Sequence, residues 1–330
     1  MDAVVSEVAK INPTPRYMTV HKATDEQFIS TWNRLQSAQA VSNELGMNVR
    51  NVHSRRKKVE EKYGMILRAN DVRSPTFVVR EHSPRVDCDM QNGVILVGSD
   101  AHYWPGVIST AHKAFVNTIK DLKPDLIVMN GDLFDGATIS RFPRSDWSSA
   151  PTVKQELEAV SDRLFEIKQA AGSAKTWWTL GNHDMRFETK LANQVPEFEG
   201  VMGFQLKDHF PGWNMSMSLF VNKNLMIKHR FRNGTHATWN NTLHSGVSMC
   251  TGHLHRLQAT ILSDYHGTRW GVDCGTLADT HGDHMHYGED NPTNHCSGFA
   301  VLTIVDGQLI HPEFCSVHDE KAYFRGKQIA

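Results

Sequence analysis

The chain has 330 residues with 35 Lys and Arg against 36 Asp and Glu, a formal net charge of −1, which argues against a wholly basic or wholly acidic partner surface. Its 40% hydrophobic and 22% charged residues are ordinary for a globular protein, and the length suits one large domain or a large domain with a small companion. Five cysteines in no CxxC spacing exclude a thiolate zinc site and a disulfide framework; with no basic leader and no long apolar run, a soluble cytoplasmic protein is expected.

Residues 1–23 hold two prolines and no clear period, and read as an arm. From Thr24 or Asp25, either of which can cap a helix, Phe28, Ile29, Trp32 and Leu35 fall on one helical face. A second helix over residues 37–45 turns Ala38, Val41 and Leu45 inward, and Gly46 suits the left-handed end of a helix. Asn48 then caps a strongly basic helix that runs to about Tyr63. Residues 24–64 resemble a helix-turn-helix module, with Leu45-Gly46-Met47 at its tight turn, Val52 at its buried position and Ser42 where a small residue is usual. That resemblance implies nucleic-acid contacts from Arg50, Asn51, Ser54 and Arg55, with Lys57 and Lys58 on the flanking backbone. The alternative is a three-helix cap whose charges only keep it soluble.

Residues 65–93 read as a linker with one edge strand over 76–80, and the main domain spans 94–330. Its start is parallel α/β: strand 94–98, helix 107–122, strand 126–130, a helix over 151–171 with proline at its start, and strand 176–180. Residues 185–222 read as short helices and loops over an active site. Strands follow at 225–228, 247–251, 258–262, 269–272, 299–305 and 309–314. Their close spacing and turn residues, Asp306-Gly307 among them, point to antiparallel neighbours in a second, mixed sheet.

Five of the apolar runs stop at chemically loaded residues: Ser99-Asp100-Ala101-His102, Asn130-Gly131-Asp132-Leu133-Phe134-Asp135, Gly181-Asn182-His183-Asp184, Lys228-His229 and Gly252-His253-Leu254-His255. A buried strand that delivers a polar residue at its carboxyl end is the usual way an open α/β sheet builds a ligand site. The 19 histidines exceed what a surface needs, and part of the excess reads as metal ligands. His236 competes with His229 for the fourth motif; His229 is favoured because it directly ends the run 225–227, whereas His236 lies beyond Gly234 in a turn.

In this order the motifs resemble the calcineurin-like metallophosphoesterase superfamily over about residues 94–315, and they look most like its phage and prophage members. The resemblance implies a four-layer αββα sandwich, behind the small helical module, with two metal ions at the sheet edges. It implies Asp132 as the bridging carboxylate, Asp100, His102 and His255 completing one metal, and Asn182, His229 and His253 completing the other. It also implies His183 as proton donor to the leaving oxygen, with Asp184 orienting it. Two divalent ions supply a nucleophilic hydroxide at neutral pH and neutralise phosphoryl charge, and mixed N and O ligands suit Mn²⁺ first, with Fe or Zn²⁺ as alternatives. Arg141, Arg144 and Arg186 follow metal motifs closely and suit phosphate clamping. The reading is a metal-dependent phosphodiesterase or nuclease acting on nucleic acid. Its alternatives are a DNA-binding regulator that senses a nucleotide, and a phosphatase of small esters.

Overall fold

Each of the three amino-terminal helices begins at a side chain that caps it. Thr24 and Gln27 form a reciprocal capping box at α1 (Asp25–Leu35), Ser37 caps α2 (Ala38–Leu45), and Asn48 caps α3 (Val49–Tyr63). The computed structural model describes residues 23–67, 76–78, 85–141, 150–282 and 293–330. The chain divides into two compact units, residues 1–71 and 72–330. Residues 1–22 of the expected arm and Arg144 lie outside the described residues.

Phe28, Trp32, Val41, Val52 and Val59 bury together between the three helices. Ser42 is buried at the turn, and its hydroxyl donates to the Met47 carbonyl at 2.5 Å, so the departure from the usual small residue closes the α2–α3 connection. Arg50, Asn51, Ser54, Lys57 and Lys58 are exposed on α3. Arg55 does not join them. Its guanidinium donates to Asp25 at 3.2 Å and to the Ala23 carbonyl and lies over the Phe28 ring, which assigns it to helix packing rather than to an outward base contact.

The second unit holds two sheets. Its strands are β1 (Thr76–Val78), β2 (Arg85–Asp89), β3 (Gly93–Gly98), β4 (Leu126–Met129), β5 (Lys175–Thr179), β6 (Asn214–Ser216), β7 (Ser218–Val221) and β8 (Leu225–Ile227). They continue as β9 (Ser248–Thr251), β10 (Leu257–Asp264), β11 (Gly267–Cys274), β12 (Gly298–Val305), β13 (Gln308–Leu309), β14 (Glu313–His318), β15 (Lys321–Phe324) and β16 (Lys327–Gln328). One sheet runs β1-β2-β7-β8-β9-β11-β10; the other runs β16-β15-β14-β12-β3-β4-β5-β6, with β13 beside β12. Side chains alternate across a strand. Ile95 and Val97 of β3 therefore meet Leu219, Ile227 and Val272 between the sheets. Leu96 joins Phe115 and Ile119 of α4 (Thr110–Leu122) and Val160 and Leu164 of α5 (Val153–Ala171) in the core on the other face. A helix at Met185–Gln194 (α6) follows the third motif, and α7 (Ala237–Ser245) packs on β9, β10 and β11. The order helix, sheet, sheet, helix is the expected four-layer sandwich.

Several details differ from expectation for local reasons. The helix expected from residue 107 starts at Thr110 because Ser109 caps it, and the second starts at Val153 because Thr152 does. β8 and β9 pair parallel rather than antiparallel because α7 is the crossover between them, and β9 and β11 do so because β10 runs back between them in sequence as the antiparallel edge strand. Residues read as linker supply β2, which pairs parallel with β7 across more than a hundred residues of sequence. The stretch 309–314 is broken between β13 and β14, while Asp306 and Gly307 turn the chain with φ of 49° and 77°. No helix among the described residues is long and apolar enough to cross a membrane.

Candidate metal centre

β3, β4 and β5 are consecutive parallel neighbours in one sheet, and β8 and β9 are parallel neighbours in the other. Their carboxyl ends therefore lie in two rows, and the five motif loops leave from those rows. Backbone bonds knit the loops together: Asp100 N–H donates to Gly131 O at 2.8 Å, His102 N–H to Asp132 O at 3.0 Å, and Gly252 N–H to His229 O at 2.9 Å. Three side-chain groups result, each with ligand atoms within 4.8 Å of one another: Asp100, His102 and His255; His102, Asp132 and His183; and Asp132, His229 and His253.

Two motif glycines are needed for this approach. A Cβ on Gly181 would overlap the Asp132 carboxylate, and one on Gly252 would overlap Ser99 Oγ and Asp100 Oδ2. The candidate ligands themselves adopt strained backbone. Asp100 (φ 51°), His102 (39°), Asp132 (52°), His253 (69°) and His255 (56°) are all left-handed. Such residues cost on the order of 1–3 kcal/mol each and persist only where the surroundings over-determine them.

Burial opposes ionisation of Asp100, yet His229 and His255 beside it hold its carboxyl at about 2. Asp132, equally buried, is held well below the usual carboxylate range by His229, whose Nε2 lies 3.0 Å from its Oδ2. The same two carboxylates overcome burial and raise His229 to about 10. Burial and the neighbouring His229 charge lower His253 to about 4. The two carboxylates thus favour positive charge at His229, and a divalent ion would supply that charge in place of a proton.

His229 Nδ1 lies 2.9 Å from the Asn130 carbonyl and must donate to it, which turns Nε2 toward Asp132. His236 is exposed at the start of α7, so of the two candidates the structure brings His229 to the centre. Asn182 Oδ1 is buried without a hydrogen-bond partner among the described residues. An amide oxygen so placed fits a cation and little else. The donor set is imidazole nitrogen and carboxylate or amide oxygen with no thiolate, which suits a borderline divalent metal.

The carboxylate behind His183 is Asp135, not Asp184. Asp135 Oδ1 accepts from His183 Nδ1 at 2.8 Å and from His102 Nδ1 at 2.9 Å. Burial resists its charge, but these two donors hold it well below the usual range. Both imidazoles are thereby fixed with their protons on Nδ1. Arg186 bridges the same loop, donating to Asp135 O at 2.8 Å and to His183 Nε2 at 3.0 Å. Asp184 points the other way. Its carboxylate accepts from the N–H groups of Asp132 (2.9 Å), Leu133 (3.0 Å), Phe134 (3.1 Å) and Gly181 (2.8 Å) and from Trp178 Nε1 (3.0 Å), and makes no cap to α6. Burial and the charge of Asp132 push its pKa upward against the pull of these donors.

Asp184 therefore acts as the clamp between two metal loops. Asp184→Ala should cost roughly 3 kcal/mol or more, because buried donors lose their acceptor. Urea unfolding of wild type and variant measures this, and a loss below about 1 kcal/mol would contradict the clamp.

The centre opens on two sides. One cavity of about 590 Å³ is lined by Arg141, Asn182, Arg186, Lys190, Lys228, His229 and Arg230 among others. The other, about 380 Å³, is lined by His102, Asp132, His183, His253, His255 and His295. Lys228 and Arg230 flank His229 directly and reach the larger cavity with it. His295, which ends no strand, lines the smaller cavity, and its ring packs 4.5 Å from that of His255.

Residues 93–241 match the family model for calcineurin-like phosphoesterases. The gene 54 protein of Mycobacterium phage L5 is 28% identical over 224 residues, covering 62% of this chain and 86% of that protein. The gene 54 protein of Mycobacterium phage D29 is 26% identical over 223 residues, with the same shares. Among solved structures, Yfce, a phosphoesterase from E. coli, is similar at 15% identity and a TM-score of 0.31, over 66% of this chain and 97% of that one.

Proposed function

The chain carries a calcineurin-like phosphoesterase domain and is a metal-dependent phosphoester hydrolase, and on that footing we propose that it is a two-metal phosphodiesterase acting on nucleic acid. The observation that carries this reading is the sharing of Asp132 between two groups, with His102 and His183 in one and His229 and His253 in the other, beside the group of Asp100, His102 and His255. Asp132 would bridge a pair of ions, and Asn182 would complete the second position. Two divalent ions so held, Mn²⁺ foremost and Fe or Zn²⁺ in its absence, would supply an activated water and offset phosphoryl charge.

The chain's own residues supply the rest. Asp135 keeps the His183 ring in place through Nδ1, which leaves Nε2 to serve the leaving oxygen once it is protonated. Arg186 occupies Nε2 at 3.0 Å, and a phosphoryl oxygen would draw its guanidinium away in a charge-assisted bond. Arg141 and Arg186 face the larger cavity and suit the anionic remainder of a substrate. The exposed Arg50, Asn51, Ser54, Lys57 and Lys58 of α3 suit a second contact to a phosphate backbone.

The test is an activity panel on metal-reconstituted full chain with bis-p-nitrophenyl phosphate, p-nitrophenyl phosphate, cyclic nucleotides and single- and double-stranded DNA. Hydrolysis of diesters that include DNA is expected. Turnover of the monoester alone would replace the reading with a phosphatase of small esters.

A further inference from the structure

The loop that delivers His229 reads Lys228-His229-Arg230-Phe231-Arg232. Lys228 and Arg230 line the larger cavity together with Arg141, Arg186 and Lys190, and among the described residues no Asp or Glu lines it. Among the described residues, Lys190, Lys228 and Arg230 pair with no carboxylate. At the same end of the loop the Phe231 side chain is 40% exposed. Lys228 Nζ and Arg232 Cζ each lie 5.4 Å from its ring centroid, so the ring sits one contact away from the cavity wall.

An exposed aromatic ring set among unpaired cations, beside a cationic groove, is what an unpaired strand of nucleic acid needs: a face on which a base stacks and charges that follow its phosphates. An exposed phenylalanine offers nothing to inorganic polyphosphate or to a phosphorylated peptide chain that the cations do not already offer. A paired duplex keeps its base faces covered. We propose that residues 228–232 form a grip for single-stranded nucleic acid, with one base stacked on Phe231 and the adjoining phosphates held by Lys228 and Arg230, so that the strand enters the metal centre along the cavity of Arg141 and Arg186. The proposal rests on the phosphodiesterase reading above and narrows its substrate to single strands.

The test is equilibrium binding of fluorescent short oligonucleotides to the full, metal-loaded chain, with phosphorothioate linkages to suppress cutting. A binding readout separates this proposal from the reaction itself: wild type that grips the strand yet hydrolyses no diester would overturn the function and leave the grip standing. Phe231→Ala should weaken a thymidine strand by roughly tenfold, and an abasic strand of equal length by much less. Phe231→Trp should restore the loss. Arg230→Ala should weaken both strands and lower the salt dependence of binding by about one phosphate contact. Phe165→Ala, which removes an exposed ring from α5, should change neither. Equal loss on the thymidine and abasic strands, unchanged binding by Phe231→Ala, or duplex bound more tightly than single strand would each overturn the proposal.

Discussion

Asp132→Asn is expected to lose metal and activity together, by more than the roughly 10- to 100-fold that removing a residue one step behind a metal ligand costs. The physical reason is its double membership. Its carboxylate belongs to the group with His102 and to the group with His229 and His253, and burial leaves no water to take its place. An amide of the same shape brings no charge to offset two cations. It also leaves His229, raised to about 10 by this carboxylate and that of Asp100, with only one of the two. Elemental analysis and kinetics on one preparation measure both losses, and a variant that keeps its metals and its turnover would remove Asp132 from the bridge.

His183→Asn should behave differently. Its side chain is part-exposed at the mouth of the smaller cavity and its Nδ1 is fixed by Asp135, so Nε2, which accepts from Arg186, is the atom that can turn to a leaving oxygen. Losing a positioned proton donor costs about 10²- to 10⁴-fold in kcat. Metal content should stay, because the groups of Asp100, His102 and His255 and of Asp132, His229 and His253 are complete without it, although His183 also stands beside His102 and Asp132. The loss should shrink on esters with good leaving groups, which need no proton. A His183→Asn chain stripped of metal would instead make the imidazole a ligand.

The five motif loops were legible because each joins a buried apolar strand to residues that no core accepts, and parallel strands bring such ends to one edge. Legibility stopped where sequence neighbours part in space. Asp184 follows His183 directly and was read as its orienting partner, yet the start of α6 turns its carboxylate under the Asp132 loop. Asp135, 48 residues away in sequence, reaches the imidazole instead. Arg55 sits in a basic run on α3, but Asp25 and Phe28 take it inward, and no spacing rule sees a partner thirty residues back. The left-handed backbone of Asp100, His102, Asp132, His253 and His255 is also invisible in the letters, since only glycine advertises that conformation. Even so, Gly181 and Gly252 were where close approach demanded them, inside the motifs that were read.

The strain at those residues would give bound metals a structural part as well as a chemical one, since ligand bonds would oppose the cost of holding five residues left-handed. The central claim is that hydrolysis needs a pair of divalent ions held by Asp100, His102, Asp132, Asn182, His229, His253 and His255. The most direct test is turnover of bis-p-nitrophenyl phosphate by the full chain after exhaustive chelation and then graded return of Mn²⁺, with bound metal counted at each step. Activity that vanishes on chelation and returns as the second equivalent binds is the predicted result, and undiminished turnover by metal-free chain would contradict it.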